Sequence, residues 1–170
     1  GGFLLQKDKT AILIDPYFSN TGPIPYILLK KLKPDTLQID RFFSDRFSNM
    51  RDTQGIIKAI LVAHSHYDHL ADVPTIYKRN CNPDSTKIFG SQTTKHILAS
   101  VNLSESVEIL TPDFKEVPSD KPTYEWIFTK NKEMRFLPIA SEHAPHFCGI
   151  KMVPAGKVSS DLKKYPRRIK

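Results

Sequence analysis

No stretch of this chain is apolar for anything near the ~20 residues that cross a bilayer. Runs such as AILI and YILL end after four residues, so no membrane-spanning helix is expected. Cysteine is almost missing. Cys81 and Cys148 lie far apart and neither sits in a CxxC pair. That speaks against a disulfide framework and against a paired-thiol motif, and two free thiols are expected. Glycine is scarce, at seven residues against thirteen prolines. Turns are therefore expected to be set by proline, and few helices to run long. Internal repeats and low-complexity segments are missing as well. So is a start methionine, and the close, LKKYPRRIK, is basic and polar. The chain is expected to be a piece of a longer protein.

What is present is an ordinary globular composition. The chain has 170 residues, of which 39% are hydrophobic, enough for one domain with a real core. Its formal net charge is +7. Much of the excess sits in the closing stretch, in Lys151, Lys157, Lys163, Lys164, Arg167, Arg168 and Lys170, with Asp161 the only acid among them. A run of this kind reads as solvated surface. A basic balance also suits nucleic acid, an anionic membrane or an anionic substrate, and by itself selects none of them.

The pattern along the chain alternates strand, helix and hairpin signals. GFLLQ and AILID, joined by KDK, predict a hairpin. GPIPYILLKKLKP is bracketed by prolines and has room for a short helix only. RFFSDRF reads as an aromatic, basic loop without clear periodicity. GIIKAILVAH is the strongest strand, nearly continuous in apolar residues, as in a strand buried on both faces. In DHLADVPTIYKR the apolar positions Leu70, Val73, Ile76 and Tyr77 recur at three- and four-residue steps, predicting a helix that Pro74 limits or kinks. TKIFG and SVEIL read as strands. SQTTKHILAS reads as a helix with Ser91 at its N-cap. TYEWIFTKNKEMRFLPIAS reads as a second hairpin turning at KNKE. Such interleaving predicts a mixed α/β fold in a single domain over residues 1–170.

One cluster carries the chemistry. LVAHSHYDHLADVP places His64, His66, Asp68 and His69 within six residues, after the strongest strand and before a helix. In extended chain, side chains at i and i+2 point to the same side. His64 and His66 can therefore converge on one ion, and Asp68 continues the alternation. His69 falls where the chain turns into the helix and approaches from another angle. Neutral imidazole and carboxylate are the ligands zinc takes, at ~2.0–2.2 Å. Six residues thus offer four ligands, divisible between two adjacent ions.

HSHYDH, His64 to His69, matches the H-x-H-x-D-H signature of the metallo-β-lactamase superfamily. AILIDP resembles that superfamily's first motif, an aspartate closing an early hairpin strand. LPIASEHAPHF resembles its third, a histidine after a strand. The wording HYDHL is most similar to the branch that holds lactone and phosphodiester hydrolases, including N-acyl-phosphatidylethanolamine-type phospholipases. The resemblance spans about residues 1–150.

The resemblance implies an αβ/βα sandwich and a site with one or two zinc ions. His64, His66 and His143 would hold the first ion, and Asp68 and His69 the second. His143 is preferred because it follows the apolar run MRFLPIA and the short link SE. His146 is the alternative, as a ligand or a substrate contact. Asp15 would stand behind the ligands and fix the geometry of their loop; its other reading is a turn residue before Pro16. His96 is expected to be structural or exposed. Manganese and iron also suit these donors. The implied activity is hydrolysis of a phosphodiester or of a lactone or ester by a metal-bound hydroxide, with Asp68 orienting it and accepting its proton. The substrate would be a small or lipid-like molecule.

The match is incomplete. The superfamily supplies an aspartate that bridges the ions and a final histidine after its third motif. No histidine follows His146, and Asp161 lies among polar and basic residues, so it is not expected to bridge. The chain therefore resembles the first half of the sandwich and a little more, and is expected to be truncated on its C-terminal side, the alternative being a naturally short relative with one metal or none. A sheet face left uncovered would pair with a second copy, as a homo-oligomer, or aggregate. A non-catalytic or nucleic-acid-processing member is the alternative, with RFFSDRF and the basic tail as cations and stacking surfaces. A cytoplasmic location is expected, with export left open because the native N-terminus is not visible.

Overall fold

The computed structural model describes residues 2–19, 33–48, 55–110, 125–139 and 158–166. Its centre is a five-stranded sheet in the order β1-β2-β3-β4-β5. Strands β1 (Phe3–Lys7) and β2 (Thr10–Ile14) form the expected hairpin, antiparallel, with Phe3 opposite Ile14 and Leu5 opposite Ile12. Asp8 makes its tight turn at φ 50°, in the left-handed region that aspartate tolerates better than most residues. From β2 onward the sheet is parallel, through β3 (Ile57–Leu61), β4 (Lys87–Gly90) and β5 (Val107–Ile109).

Parallel neighbours need crossovers, and helices provide them here. Helix α1 (Thr36–Phe47) lies between β2 and β3. A single turn, α2 (Tyr67–Leu70), and helix α3 (Val73–Asn80) lie between β3 and β4, and α4 (Gln92–Ala99) lies between β4 and β5. The helices cover one face of the sheet. Ala11, Leu13, Ile57, Ile60, Val62 and Ile88 from the strands pack there with Ile39, Phe43, Phe47, Ile76, Ile97 and Leu98 from the helices. Ala11 pairs with Ile57 but Ile12 pairs with Ala59, so the register slips by one residue at Lys58. That bulge keeps both Ile57 and Ile60 on the helix side, which strict alternation would forbid.

The other face holds a smaller cluster of Ile12, Ala59 and Phe89. A second hairpin, β6 (Ile127–Phe128) with β7 (Arg135–Phe136), covers it through Ile127, Met134 and Phe136. The rings of Phe89 and Phe136 meet edge to face, with centroids 4.9 Å apart. Toward β1 the apolar surface continues into water, where Phe3 is 73% exposed and Leu5 47%. The fold is thus mixed α/β, with helices on one face of the sheet and a hairpin on the other. No helix among the described residues is long and apolar enough to cross a membrane.

One local expectation is corrected, and another is decided between its alternatives. RFFSDRF is not a loop but the last two turns of α1. Asp35 caps that helix by accepting from Gln38 N at 3.0 Å. Ile39, Phe43 and Phe47 follow at four-residue steps and are buried, so the stripe faces the core. Phe42 packs on Phe18 with ring centroids 4.6 Å apart. Phe43 and Phe47 are thus part of the fold's interior, with Phe18 and Phe42 partly buried against them. Of the two roles open to Pro74, the structure has it limit a helix rather than kink one. It stands in the first turn of α3, where its missing N–H has no partner to lose. The proline-bracketed segment GPIPYILLKKLKP and Cys148 fall largely or wholly outside the described residues; Cys81 is buried and free.

A stability measurement checks the helix. Phe47→Ala is expected to lower the unfolding free energy by about 3–5 kcal/mol, and the adjacent exposed change Arg46→Ala to stay within about 0.5 kcal/mol. Urea unfolding of the two variants separates a core helix from a loop, in which both changes would be small.

Candidate metal centre

Parallel pairing decides where the site stands. β2 and β3 run side by side, so their C-terminal ends share one edge of the sheet. Asp15 follows β2 directly, and its N–H donates to Leu61 O at 2.8 Å. Val62 continues β3 by donating to Phe89 O at 2.8 Å, and HSHYDH begins two residues later. The edge beyond the carboxyl ends of parallel strands is where open α/β sheets gather their functional groups.

His64 and His66 face each other. His64 Nε2 lies 3.0 Å from His66 Nδ1, and the rings stand nearly perpendicular with centroids 4.5 Å apart. His66 is still extended, at φ −67° and ψ 157°, and serves as the N-cap residue of α2. Its carbonyl accepts from His69 N and Leu70 N at 3.1 and 3.0 Å. That turn swings His69 back over the cluster, with its ring centroid 3.9 Å from that of His64. Asp68 is half-exposed, with Oδ2 3.6 Å from His69 Nε2. The order of the motif thus becomes an arrangement: two rings from extended chain, then a third ring and a carboxylate from the first helical turn.

Asp15 holds this arrangement from behind. Its φ is 47°, again in the left-handed region that aspartate tolerates better than most residues, and the turn aims its carboxylate at the HSHYDH loop. Oδ1 accepts from Ala63 N at 2.8 Å. Oδ2 lies 3.0 Å from His69 Nδ1, at hydrogen-bond distance but without the alignment of a good one. Contact with Asp15 and its charge raise the His69 pKa above the ordinary value, while burial of the ring pulls the other way. With Nδ1 turned to Asp15, His69 presents Nε2 on the side of Asp68.

Three residues that sequence reasoning passed over complete the support. Asp72 is fully buried and accepts three hydrogen bonds, from Phe18 N at 2.7 Å, Ser19 N at 2.9 Å and Ser19 Oγ at 2.5 Å. Ser19 Oγ in turn accepts from Asp35 N at 2.7 Å. One carboxylate therefore ties the loop after Asp15 to the helices after HSHYDH, and through Ser19 to the start of α1. Thr94, also fully buried, meets Ser65 Oγ at 2.8 Å. It anchors the residue between His64 and His66 to α4, where Ser91 is the N-cap and accepts from Thr94 N. The signal for Asp72 was there to read: an acid between Leu70 and Val73, in a stripe otherwise given to the core.

The donors fit a zinc ion in kind and in spacing. Two nitrogens bonded to one tetrahedral zinc at about 2.0–2.1 Å stand roughly 3.3 Å apart, close to the 3.0 Å between His64 and His66. Among the described residues no group of three or more His, Cys, Asp or Glu side chains is arranged to hold an ion by itself. A third donor to the His64–His66 pair would have to come from elsewhere; His143 and His146 lie outside the described residues. His96 is not part of the cluster. It pairs through Nδ1 with Asp161 Oδ1 at 2.7 Å, which also accounts for the one late aspartate. Tyr17 and Tyr67 meet edge to face at 5.8 Å, joining the loop after Asp15 to the first residue of α2.

A family model described as a beta-lactamase superfamily domain matches residues 10–157. No curated protein matches the chain.

Two measurements probe this support. Asp72→Ala strands three donors in the interior, at about 1–3 kcal/mol each, and is expected to destabilise the chain by at least about 3 kcal/mol in urea unfolding. Asp68→Ala, at a half-exposed side chain, is expected to cost far less. In the metal-free chain His69 is expected to keep its proton to higher pH than a free imidazole. The Asp15 contact then stabilises the fold fully below the ordinary histidine pKa and fades as pH rises through the raised value. Asp15→Asn is expected to weaken that dependence, leaving the smaller effect of the Asp68 charge, and an NMR titration of the His69 ring reads it directly.

Proposed function

The chain belongs to the metallo-β-lactamase superfamily, and from that premise we propose that it is a metal-dependent hydrolase of a phosphodiester or of a lactone or ester. The observation that carries this reading is the facing pair His64 Nε2 and His66 Nδ1, 3.0 Å apart, beside a His69 steadied by Asp15. Zinc, when bound, acidifies a water it holds and polarises the oxygen of the bond to be cut. His64 and His66, with His143 or alternatively His146, would hold one ion. Asp68 and His69 would hold a second. Manganese or iron would be accepted by the same donors.

The chain's own residues supply position and proton transfer. Asp15 Oδ2 lies 3.0 Å from Nδ1 of His69, which leaves Nε2 as the atom free to ligate. Thr94 holds Ser65, so the two rings on either side of it keep their separation. Asp68 is the one carboxylate of the motif that reaches water, so it is the group placed to take a proton from the attacking water and deliver it onward. Tyr17 and Tyr67 offer an apolar edge beside the site for the non-reacting part of a lipid-like or small substrate.

Of the support that RFFSDRF lends the nucleic-acid alternative, stacking is weakened because Phe43 and Phe47 are buried, while the cations Arg41 and Arg46 remain exposed. Its test is salt dependence: nucleic acid held at low salt and released steeply as salt rises would favour it.

Zinc content and hydrolysis of an activated phosphodiester, with an activated lactone as the second probe, test the main reading. Asp68→Asn is expected to lower turnover by about 100-fold or more while leaving one zinc bound. His64→Ala is expected to lose that zinc. A chain that takes up no divalent metal at neutral pH would sink the proposal, and full activity in Asp68→Asn would remove the role given to that residue.

A further inference from the structure

The described segment 158–166 begins directly after the residues matched by the family model. It has no regular secondary structure, yet Val158, Leu162 and Tyr165 all pack against the helix-side core. Three contacts fix it to α4. Val158 N donates to Thr93 Oγ1 at 3.3 Å, Leu162 N donates to His96 O at 3.0 Å, and Asp161 Oδ1 lies 2.7 Å from His96 Nδ1. The segment is a strap, and α4 determines where its far end arrives.

That end is Tyr165, whose hydroxyl donates to Leu70 O at 3.0 Å. Leu70 closes α2, the single turn that carries Asp68 and His69. A helix of four residues has little internal support. Its amide bonds run from His69 N and Leu70 N to His66 O and from Ala71 N to Tyr67 O, and its last carbonyls need partners from outside. Tyr165 supplies one. The ring is largely buried, and burial, with the nearby charge of Asp72, pushes its pKa far above that of a free phenol. It therefore stays a hydrogen-bond donor throughout the working range of pH. The same strap holds Thr93 and His96, the neighbours of the Thr94 that anchors Ser65. One segment thus grips both elements that position HSHYDH.

We infer that Tyr165 is a positioning residue for the metal-binding turn, held in place by the Asp161–His96 contact. This rests on the reading of Asp68 and His69 as metal ligands. In function, the strap sets the height of the Asp68–His69 turn against the His64–His66 pair, and so the separation of the two sites for metal.

Tyr165→Phe in the full 170-residue chain tests the inference, since it removes the hydroxyl and keeps the ring. Two readouts need no metal: amide hydrogen exchange at Ala71 and the NMR signals of the His69 ring. Exchange at Ala71 is expected to speed up and the His69 signals to move, both measured where urea unfolding shows the variant fully folded. A third readout is zinc affinity by competition with a chromophoric chelator, expected to fall by roughly tenfold for the weaker site, the usual effect of removing support behind a ligand. Unchanged Ala71 exchange and unchanged His69 signals would overturn the inference. If the wild-type chain takes up no zinc, the metal reading fails, and the first two readouts still decide whether Tyr165 positions the turn. Should Tyr165→Phe not fold, Asp161→Asn, a change at an exposed side chain, is read in the same way: it is expected to speed exchange at Ala71, and no change there overturns the strap.

Discussion

Parallel pairing of β2 with β3 is the constraint from which the rest of the site follows. It brings Asp15 against the backbone of Ala63, 48 residues away in sequence. An antiparallel partner would have put the end of β2 at the opposite edge of the sheet. Because the strands are parallel, both carboxyl ends open on one side. The aspartate that closes the first hairpin then stands behind the histidines that follow the third strand. The bulge at Lys58 belongs to the same constraint. It keeps Ile57 and Ile60 in the helix-side core, so the strand that carries HSHYDH is gripped on that face along its length.

Carboxylates do most of the holding at this edge, and each is placed so that its burial is compensated. A buried carboxylate without partners would take up a proton rather than keep its charge. Asp72 has three donors around it, and Asp15 has the Ala63 amide and the His69 ring. Those contacts cross between segments distant in sequence. Shifting any one segment therefore breaks hydrogen bonds in another. This is how loops, which carry no ladder of their own, come to hold three imidazoles within a few ångströms of each other. The hairpin of β6 and β7 acts on the opposite face and covers Phe89.

Much of the molecule was legible in the chain because the relevant signals are local. The first hairpin, the buried third strand, the Ser91 cap and the hairpin at KNKE each announce themselves within a dozen residues. RFFSDRF was misread because its period spans a longer window than the phrase itself. Ile39, Phe43 and Phe47 form one stripe, but only two of its members lie in the phrase. Pro74 left two readings open because the same residue breaks a helix in its interior and starts one at its first turn. Only the break at Ala71 and Asp72 distinguishes the two.

The sequence by itself determined that His64, His66, Asp68 and His69 stand together, at a spacing that extended chain followed by one helical turn gathers on one side. That follows from covalent geometry and the alternation of side chains, and needs no partner. What only the tertiary structure decided is the support. Nothing in the order of residues says that Asp72 would turn to Ser19, that Thr94 would reach Ser65, or that Tyr165 would meet the carbonyl of Leu70. Those contacts join segments that parallel pairing and helix packing bring together, so they exist only once the chain has closed on itself.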